Sequence, residues 1–410
     1  MSSMITVEEA LKRVLASAEE TPLEEEKVAL EGAYGRVLAR DLKALRTQPP
    51  FSNSAMDGYA LRAADTASPP AILTVVGESA AGRAFDRAID PGEAVRIFTG
   101  APIPDGADAI AIQEDVNREG DRIRLSAAVP AGDNLRVAGM DFRIGEPLIP
   151  AGRLLTPRDV ALAAAANHTA LPVRRRARVA ILATGDELVA PGGSLGPAQI
   201  IASNNFAVAG VVEACGGVAI DLGIAADELQ ALNTSLNRAR EVQADVLVTL
   251  GGVSVGDHDL VQQALVSAGM ELGFWRIAMR PGKPLMHGRL GAMRVLGLPG
   301  NPTSSMVCSI LFLRPLLRAL HGEPDAGADL SQPARLAVDL RANGVRQDYM
   351  RASLGHGAEG ILVATPAAEQ DSSLVKTMAR ANGLIVRPPQ AAPAKAGGLC
   401  RVIPFHGLGV

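Results

Sequence analysis

Aromatic residues are scarce in this chain. Phenylalanine, tyrosine and tryptophan together make up 3% of it, which leaves few flat platforms for stacking nucleic-acid bases. Excess positive charge is also missing. The net charge is -4, so no broad positive field draws a phosphate backbone. Together these two absences argue against nucleic acid as a partner. Cysteine is rare too: Cys215, Cys308 and Cys400 are the three present. They lie far apart in apolar settings, form no CxxC pair, and read as buried thiols of a reducing compartment. The six histidines include no HxxxH pair, so zinc is not expected. No apolar run is long enough to span a bilayer; the longest, MVCSILFLRPLL, is short and contains Arg314. The opening MSSMITVEEALKRV is an amphipathic helix rather than a signal peptide. A cytoplasmic protein without a membrane association is expected.

What is present fits a soluble globular chain. Its 410 residues, 48% hydrophobic and 20% charged, suggest about two to four domains with true cores. Thr6 and Glu9 form a capping box, and Ala10, Leu11, Val14 and Leu15 follow at helical spacing. TPLEEEKVALEGAYGRVLA reads as continued helix and turn. From Gln48 the texture changes to QPPFSNSAMDGYALR and then to short β runs, AILTVVG, AVRIF and DAIAIQEDV, broken by Gly and Pro. Helix returns at TPRDVALAAAANH, with Thr156 as cap and Pro157 in the first turn. The β-rich stretch therefore reads as an insertion, and the flanking helices are expected to pack together. The basic cluster Arg174, Arg175, Arg176 and Arg178 reads as a solvated lead-in to a strand. Beyond it strands and helices alternate, which predicts a parallel sheet with covered faces. After the polar linker HGEPDAGADLSQPA come short strands of a small all-β domain. The expected division is residues 1–50 with 142–176, an insertion at 51–141, an α/β domain at 177–328 and a C-terminal β domain at 329–410.

In an open α/β sheet, ligands bind beyond the carboxyl ends of the strands. Five segments follow the predicted strands: Thr184-Gly185-Asp186-Glu187, Ala226-Asp227, GGVSVGDHD at 251–259, Arg280-Pro281-Gly282-Lys283-Pro284, and Pro299-Gly300-Asn301-Pro302. All five are expected on one edge, where they supply acids, glycine backbone and two cations. Gly251, Gly252 and Gly256 are expected to turn backbone N–H groups into the crevice as an anion nest, beside Ser254. Asp257 suits a helix cap. Asp259 suits a divalent cation that bridges to an anion, although capping explains it as well. Lys283 and Arg280 suit an oxyanion, or simply a Pro-Gly surface turn. Gly300, followed by Thr303, Ser304 and Ser305, makes a small-anion cradle. Glu187 suits a metal ligand or a first-turn helix charge.

TGDEL, GGVSVGDHD, RPGKP and GLPGNPTS, in this order, resemble the MoeA/gephyrin-E family, the molybdopterin molybdenumtransferases. PPFSNSAMDGYAL, RIFTGAPIPDGADAIAIQED and NLRVAGMDFRIGEPL extend the resemblance over almost the whole chain. It implies a multidomain α/β plus β fold: a doubly wound, MogA-like domain, an inserted β-rich domain, a helical and extended N-terminal domain and a C-terminal β-barrel. It also implies molybdate insertion into adenylylated molybdopterin, release of AMP, assistance by magnesium, and a homodimer whose active site is shared between chains. A MogA-type adenylyltransferase is an implied partner. By motif match, Asp57, Thr99, Arg136 and Asp141 form the N-terminal contribution. Glu187, Asp227 and Asp259 are the crevice acids and metal ligands. Thr184, Ser203, Asn204 and the glycine loops contact substrate. Lys283, Ser304 and Arg346 are candidates for holding molybdate, with Arg351 nearby and contacting substrate, and Arg276 and Arg280 stand where relatives often carry lysine. Ala202 replaces a polar residue. Read alone, Asp57 and Asp141 are turn residues. Two other readings are a molybdopterin adenylyltransferase and a non-catalytic scaffold of the gephyrin type.

Overall fold

The computed structural model describes residues 4–20, 22–252, 260–357 and 360–408. Its centre is a six-stranded sheet. Four strands run parallel in the order Val218–Ala225, Arg178–Thr184, Val246–Leu250 and Met293–Leu298. Pro284–Leu290 and Glu271–Arg276 extend the sheet with antiparallel pairings. The Arg178–Thr184 and Val246–Leu250 strands are apolar on both faces because helices cover both. Asn204–Ala214 covers one face and Leu229–Glu241 with Leu260–Ser267 the other.

The longest helical run starts at Pro302. An α-helix Pro302–Cys308 passes through a π turn, Ser309–Leu313, into a second helix, Arg314–Leu320. Pro315 has no N–H to give the preceding turn, and the wider turn absorbs that loss. Among the described residues, 302–320 is the one helix long and apolar enough to cross a membrane, yet it is 78% buried within the protein. It is a core helix.

The first helix, Val7–Glu19, takes its cap from Thr6, whose hydroxyl accepts the Glu9 N–H at 3.1 Å. Ala10, Val14 and Ala18 sink into the α/β core beside Phe312, Leu313 and Leu316. This corrects the expected pairing with the helix at 157: Pro157–Ala165 packs instead against Leu38, Leu42, Ile149 and Leu171 in a separate core. Residues 25–29 are corrected as well. Read as helix, they form a strand antiparallel to Ala170–Arg174, because pairing with a distant segment overrides local propensity. That pairing sets the two ends of the intervening chain side by side. Between them lies a six-stranded sheet in the order 109–112, 58–61, 93–97, 71–79, 122–125, 116–119.

The C-terminal strands close on themselves. Gln347–His356 pairs with both Leu362–Pro366 and Gly383–Arg387, and the ring is completed through Gln332–Leu336 and Leu399–Pro404. This five-stranded barrel is fastened to the α/β unit where Met279–Arg280 pairs with Gln347 and Asp348. The multidomain α/β plus β architecture, with its C-terminal barrel, is therefore as the sequence predicts.

Candidate functional site

A cavity of about 600 Å³ opens at the carboxyl edge of the parallel strands. Thr184, Glu187, Ser203, Asn204, Asp227 and Gly251 line it, and Gly252 and the Pro299-Gly300-Asn301-Pro302 turn complete much of the wall. Strand-end residues from distant parts of the sequence thus meet in one hollow. They do so because parallel strands deliver all their carboxyl ends to the same side.

The glycines permit close loop packing. Gly251 has φ +98°, and a Cβ there would lie 2.7 Å from the Thr184 carbonyl oxygen. A Cβ on Gly300 would lie 3.6 Å from the Gly251 Cα. The Gly251 N–H, expected to face the crevice, instead donates to the Leu298 carbonyl at 3.2 Å. The strand pairing runs one residue further than the loop reading assumes. Ser254, Gly256, Asp257 and Asp259 lie outside the described residues.

The acidic rim is Asp186, Glu187 and Asp227. Asp186 accepts the Asp227 N–H at 3.1 Å. Partial burial raises the Asp227 carboxyl above its ordinary range, and the charges of Asp186 and Glu187 raise it further. Among the described residues, no three His, Cys, Asp or Glu side chains group closely enough to hold a metal ion.

The cationic candidates stand outside the cavity lining. Arg276 has its guanidinium 5.1 Å from the Trp275 ring, with a buried and unpaired Nε. Arg280 pairs with Asp348, which raises its pKa, and borders a second cavity of about 560 Å³ against the barrel. Lys283 is half-buried, and the adjoining Pro284 lines the main cavity. Ser304 is buried in the helix 302–308. Arg346 is half-buried beside the barrel, its carbonyl accepting from Asn343 at 2.9 Å. Arg351 is 1% exposed. Its Nη2 donates to the Asp371 carbonyl at 3.1 Å, its Nε has no partner, and burial lowers its pKa. It stands behind the Asp371–Ser373 turn, whose Ser373 lines the cavity. Ser373 escapes the sequence reading because it comes from the other domain; Asp371 accepts its N–H at 2.8 Å and its hydroxyl at 2.6 Å, the pattern of an ordinary Asx turn. Asn205, Leu188 and the ribbon of Leu188–Val189 with Ile200–Ile201 were likewise not foreseen as lining.

The N-terminal candidates form their own group. Asp57 accepts the Thr99 N–H at 2.7 Å and the Thr99 hydroxyl at 2.8 Å, which lowers its pKa. Arg136 is exposed on a strand paired with Asn53 and Ser54, and Asp141 is exposed next to the Gln48–Phe142 bridge. None of the four lines the cavity of its own chain.

Three family models span the chain: the MoeA N-terminal region (domain I and II) over residues 5–167, a probable molybdopterin binding domain over 180–319, and the MoeA C-terminal region (domain IV) over 333–405. The chain belongs to the MoeA family, the molybdopterin molybdenumtransferases of molybdenum cofactor biosynthesis. It is 37% identical to the molybdopterin molybdenumtransferase of Nostoc sp., over 88% of this chain and 85% of that one. It is 33% identical to that of Haemophilus influenzae, over 99% and 100%. A solved molybdopterin biosynthesis MoeA protein from Pyrococcus horikosii superposes with a TM-score of 0.84 at 31% identity, covering 98% of this chain and 99% of that chain. The family therefore accounts for the α/β domain, the insertion and the barrel together.

Proposed function

We propose that this chain inserts molybdate into adenylylated molybdopterin and releases AMP, with magnesium at the acidic rim, in a cytoplasmic homodimer. The observation that carries the reading is the cavity, in which Glu187 and Asp227 face glycine loops across one hollow. A doubly charged phosphoanhydride would be repelled by that rim alone. Magnesium bound by Glu187 and Asp227, with Asp259 as a third candidate ligand, would neutralise the anhydride and its leaving phosphate. The chain's own groups supply position and charge. The tightly packed Gly251, Gly252 and Gly300 loops would wall the seat of the anhydride, and Ser203 and Asn204 would flank it. The Asn204 amide is fixed by donating to the Gly300 carbonyl at 2.6 Å.

Arg351 supports an oxyanion seat at the domain junction. Its buried Nε has no hydrogen-bond partner, while Asp348 and Asp371 act on its charge. Arg280 pairs with Asp348 where the α/β unit meets the barrel, and Lys283, Arg276, Ser304 and Arg346 are further candidates to hold molybdate. Asp57, Thr99, Arg136 and Asp141, remote from their own chain's cavity, would complete the site of the partner subunit. Cleaving an anhydride calls mainly for positioning and charge stabilisation, so no covalent enzyme intermediate is needed. A MogA-type adenylyltransferase would supply the substrate.

The test is incubation with adenylylated molybdopterin, magnesium and molybdate. AMP release that depends on molybdate is expected. Release that is absent, or indifferent to molybdate, would overturn the proposal.

A further inference from the structure

A hollow of about 680 Å³ opens at the opposite edge of the central sheet, where the parallel strands begin. Arg178 and Met293 are the first residues of two strands, and Asp245 immediately precedes a third. The five residues of Val246–Leu250 set this edge roughly 16 Å from the carboxyl edge. Four guanidinium groups, of Arg175, Arg178, Arg240 and Arg294, line the hollow with two carboxylates, of Glu24 and Asp245. The basic run at 174–178 is therefore more than a solvated lead-in, since two of its members wall a cavity. Arg175 engages both acids. Its Nη1 and Nη2 donate to the Asp245 carboxylate at 2.7 Å each, and its Nε donates to Glu24. Arg178 and Arg240 meet neutral groups instead. Arg178 donates to the Gln243 side-chain oxygen at 3.4 Å, and Arg240 donates to the Asn237 side chain and the Ala268 carbonyl at 3.2 Å each. Among the described residues neither forms an ion pair. Arg294 is 2% exposed and donates to the Ser17 carbonyl at 2.9 and 3.0 Å.

We infer that this hollow is a second binding site, for a small phosphate-bearing ligand whose phosphate is held by Arg178 and Arg240 beside the buried Arg294. Segments from four parts of the sequence, at 22–24, 175–178, 240–245 and 292–294, supply its wall. The two acids offset two of the four positive charges, and a concave wall with cations in excess concentrates anions. Guanidinium forks match the paired oxygens of a phosphate, which an ammonium would meet only as a point charge. The volume lies within the range of small-molecule pockets. Gln243 is part of the construction. It takes a left-handed φ of +50° just past the helix Leu229–Glu241, a position where glycine is usual, and its side chain holds the Arg178 guanidinium. Burial lowers the Arg294 pKa, the charge of Arg289 lowers it further, and Asp245 opposes both. A bound phosphate would act in the same direction as Asp245. None of these residues lines the cavity at the carboxyl edge, so the site is separate from the proposed reaction.

The experiment uses the full chain with methyl-labelled methionine. Met293 lines the hollow, and its resonance is assigned by Met293→Leu. Inorganic phosphate, ribose 5-phosphate and succinate are titrated separately at constant ionic strength. Saturable movement of the Met293 methyl is expected with inorganic phosphate at millimolar concentrations or below. Tighter binding of ribose 5-phosphate would mark an organic phosphate as the occupant, and equal or weaker binding would mark the free ion. Succinate carries two charges without the phosphate geometry and should bind about tenfold more weakly than the better phosphate. Arg178→Gln and Arg240→Gln should each weaken phosphate binding by about tenfold. Both arginines reach solvent, so the variants should keep the wild-type melting temperature and rate of AMP release. A Met293 methyl that stays in place with both phosphates, an equal response to succinate, or undiminished phosphate binding by both variants would overturn the inference.

Discussion

Asp227 carries a cost that burial creates and its acidic neighbours increase. Its carboxyl titrates above the ordinary aspartate range because of partial burial and the nearby Asp186 and Glu187. The folded state therefore binds a proton more readily than the unfolded chain, and stability falls as pH rises through that raised pKa. Asp227→Asn is expected to raise the melting temperature at pH 7. The gain should shrink as pH falls through the raised pKa and be gone below the ordinary value of 3.8. Magnesium-supported AMP release should be lost at the same time, since a site that strains the fold is often the one that works. Melting curves at several pH values check the sign, and an unchanged midpoint at pH 7 would contradict it. Gly251→Ala tests the loop packing. It places a side chain at φ +98° and a Cβ against the Thr184 carbonyl, so a loss of about 2 kcal/mol or more is expected in denaturant unfolding. Both positions were legible in the sequence, because strand ends in such sheets collect acids and glycines. Ser373 was not, because a turn in the barrel reaches the cavity only through a domain contact that no local pattern records.

At the scale of elements, two buried histidines hold seams between segments. His287 lies 3.2 Å from the Ser17 hydroxyl of the first helix and stacks on Phe274 with ring centroids 5.5 Å apart. His321 accepts the Ala177 N–H at 3.1 Å where the N-terminal region joins the α/β unit. Burial lowers each pKa from 6.5 to about 4. The unfolded chain then takes up protons first on acidification, so stability is lost as pH falls from about 6.5 towards 4. Each seam should lose on the order of 2–3 kcal/mol across that window. His287→Gln should flatten part of the acid-induced loss, as read by urea unfolding at pH 7 and pH 5. Removing residues 1–19 should be more damaging, because Ala10, Val14 and Ala18 belong to the α/β core. The shortened chain is expected to aggregate, as measured by its retention on gel filtration. The first helix itself was readable from its cap and spacing. Its seat was not, because an amphipathic face does not name the surface it will cover. The strand at 25–29 was hidden for a similar reason: its acidic EEKVA sequence becomes extended only through pairing with residues 170–174. The Pro284–Leu290 strand was missed because its buried His287 and Gly288 break the apolar run.

At the scale of the whole molecule, the two groups of candidate residues are separated within one chain. If the site is shared between protomers, variants damaged in opposite groups should rescue each other. Asp57→Asn and Glu187→Gln homodimers are each expected to release AMP slowly. After exchange of subunits, half the molecules would carry one intact site of two, so about a quarter of wild-type activity should return. Recovery of none would point to a site built within a single chain. The arrangement of the first helix also has a bearing on biosynthesis. Its apolar face fits among Phe312, Leu313 and Leu316, which emerge some 300 residues later from the ribosome. At about 5–20 residues per second, that face waits on the order of 15–60 s for its berth. During the delay the inserted sheet can fold, while the apolar face of the nascent N-terminus stays open to solvent.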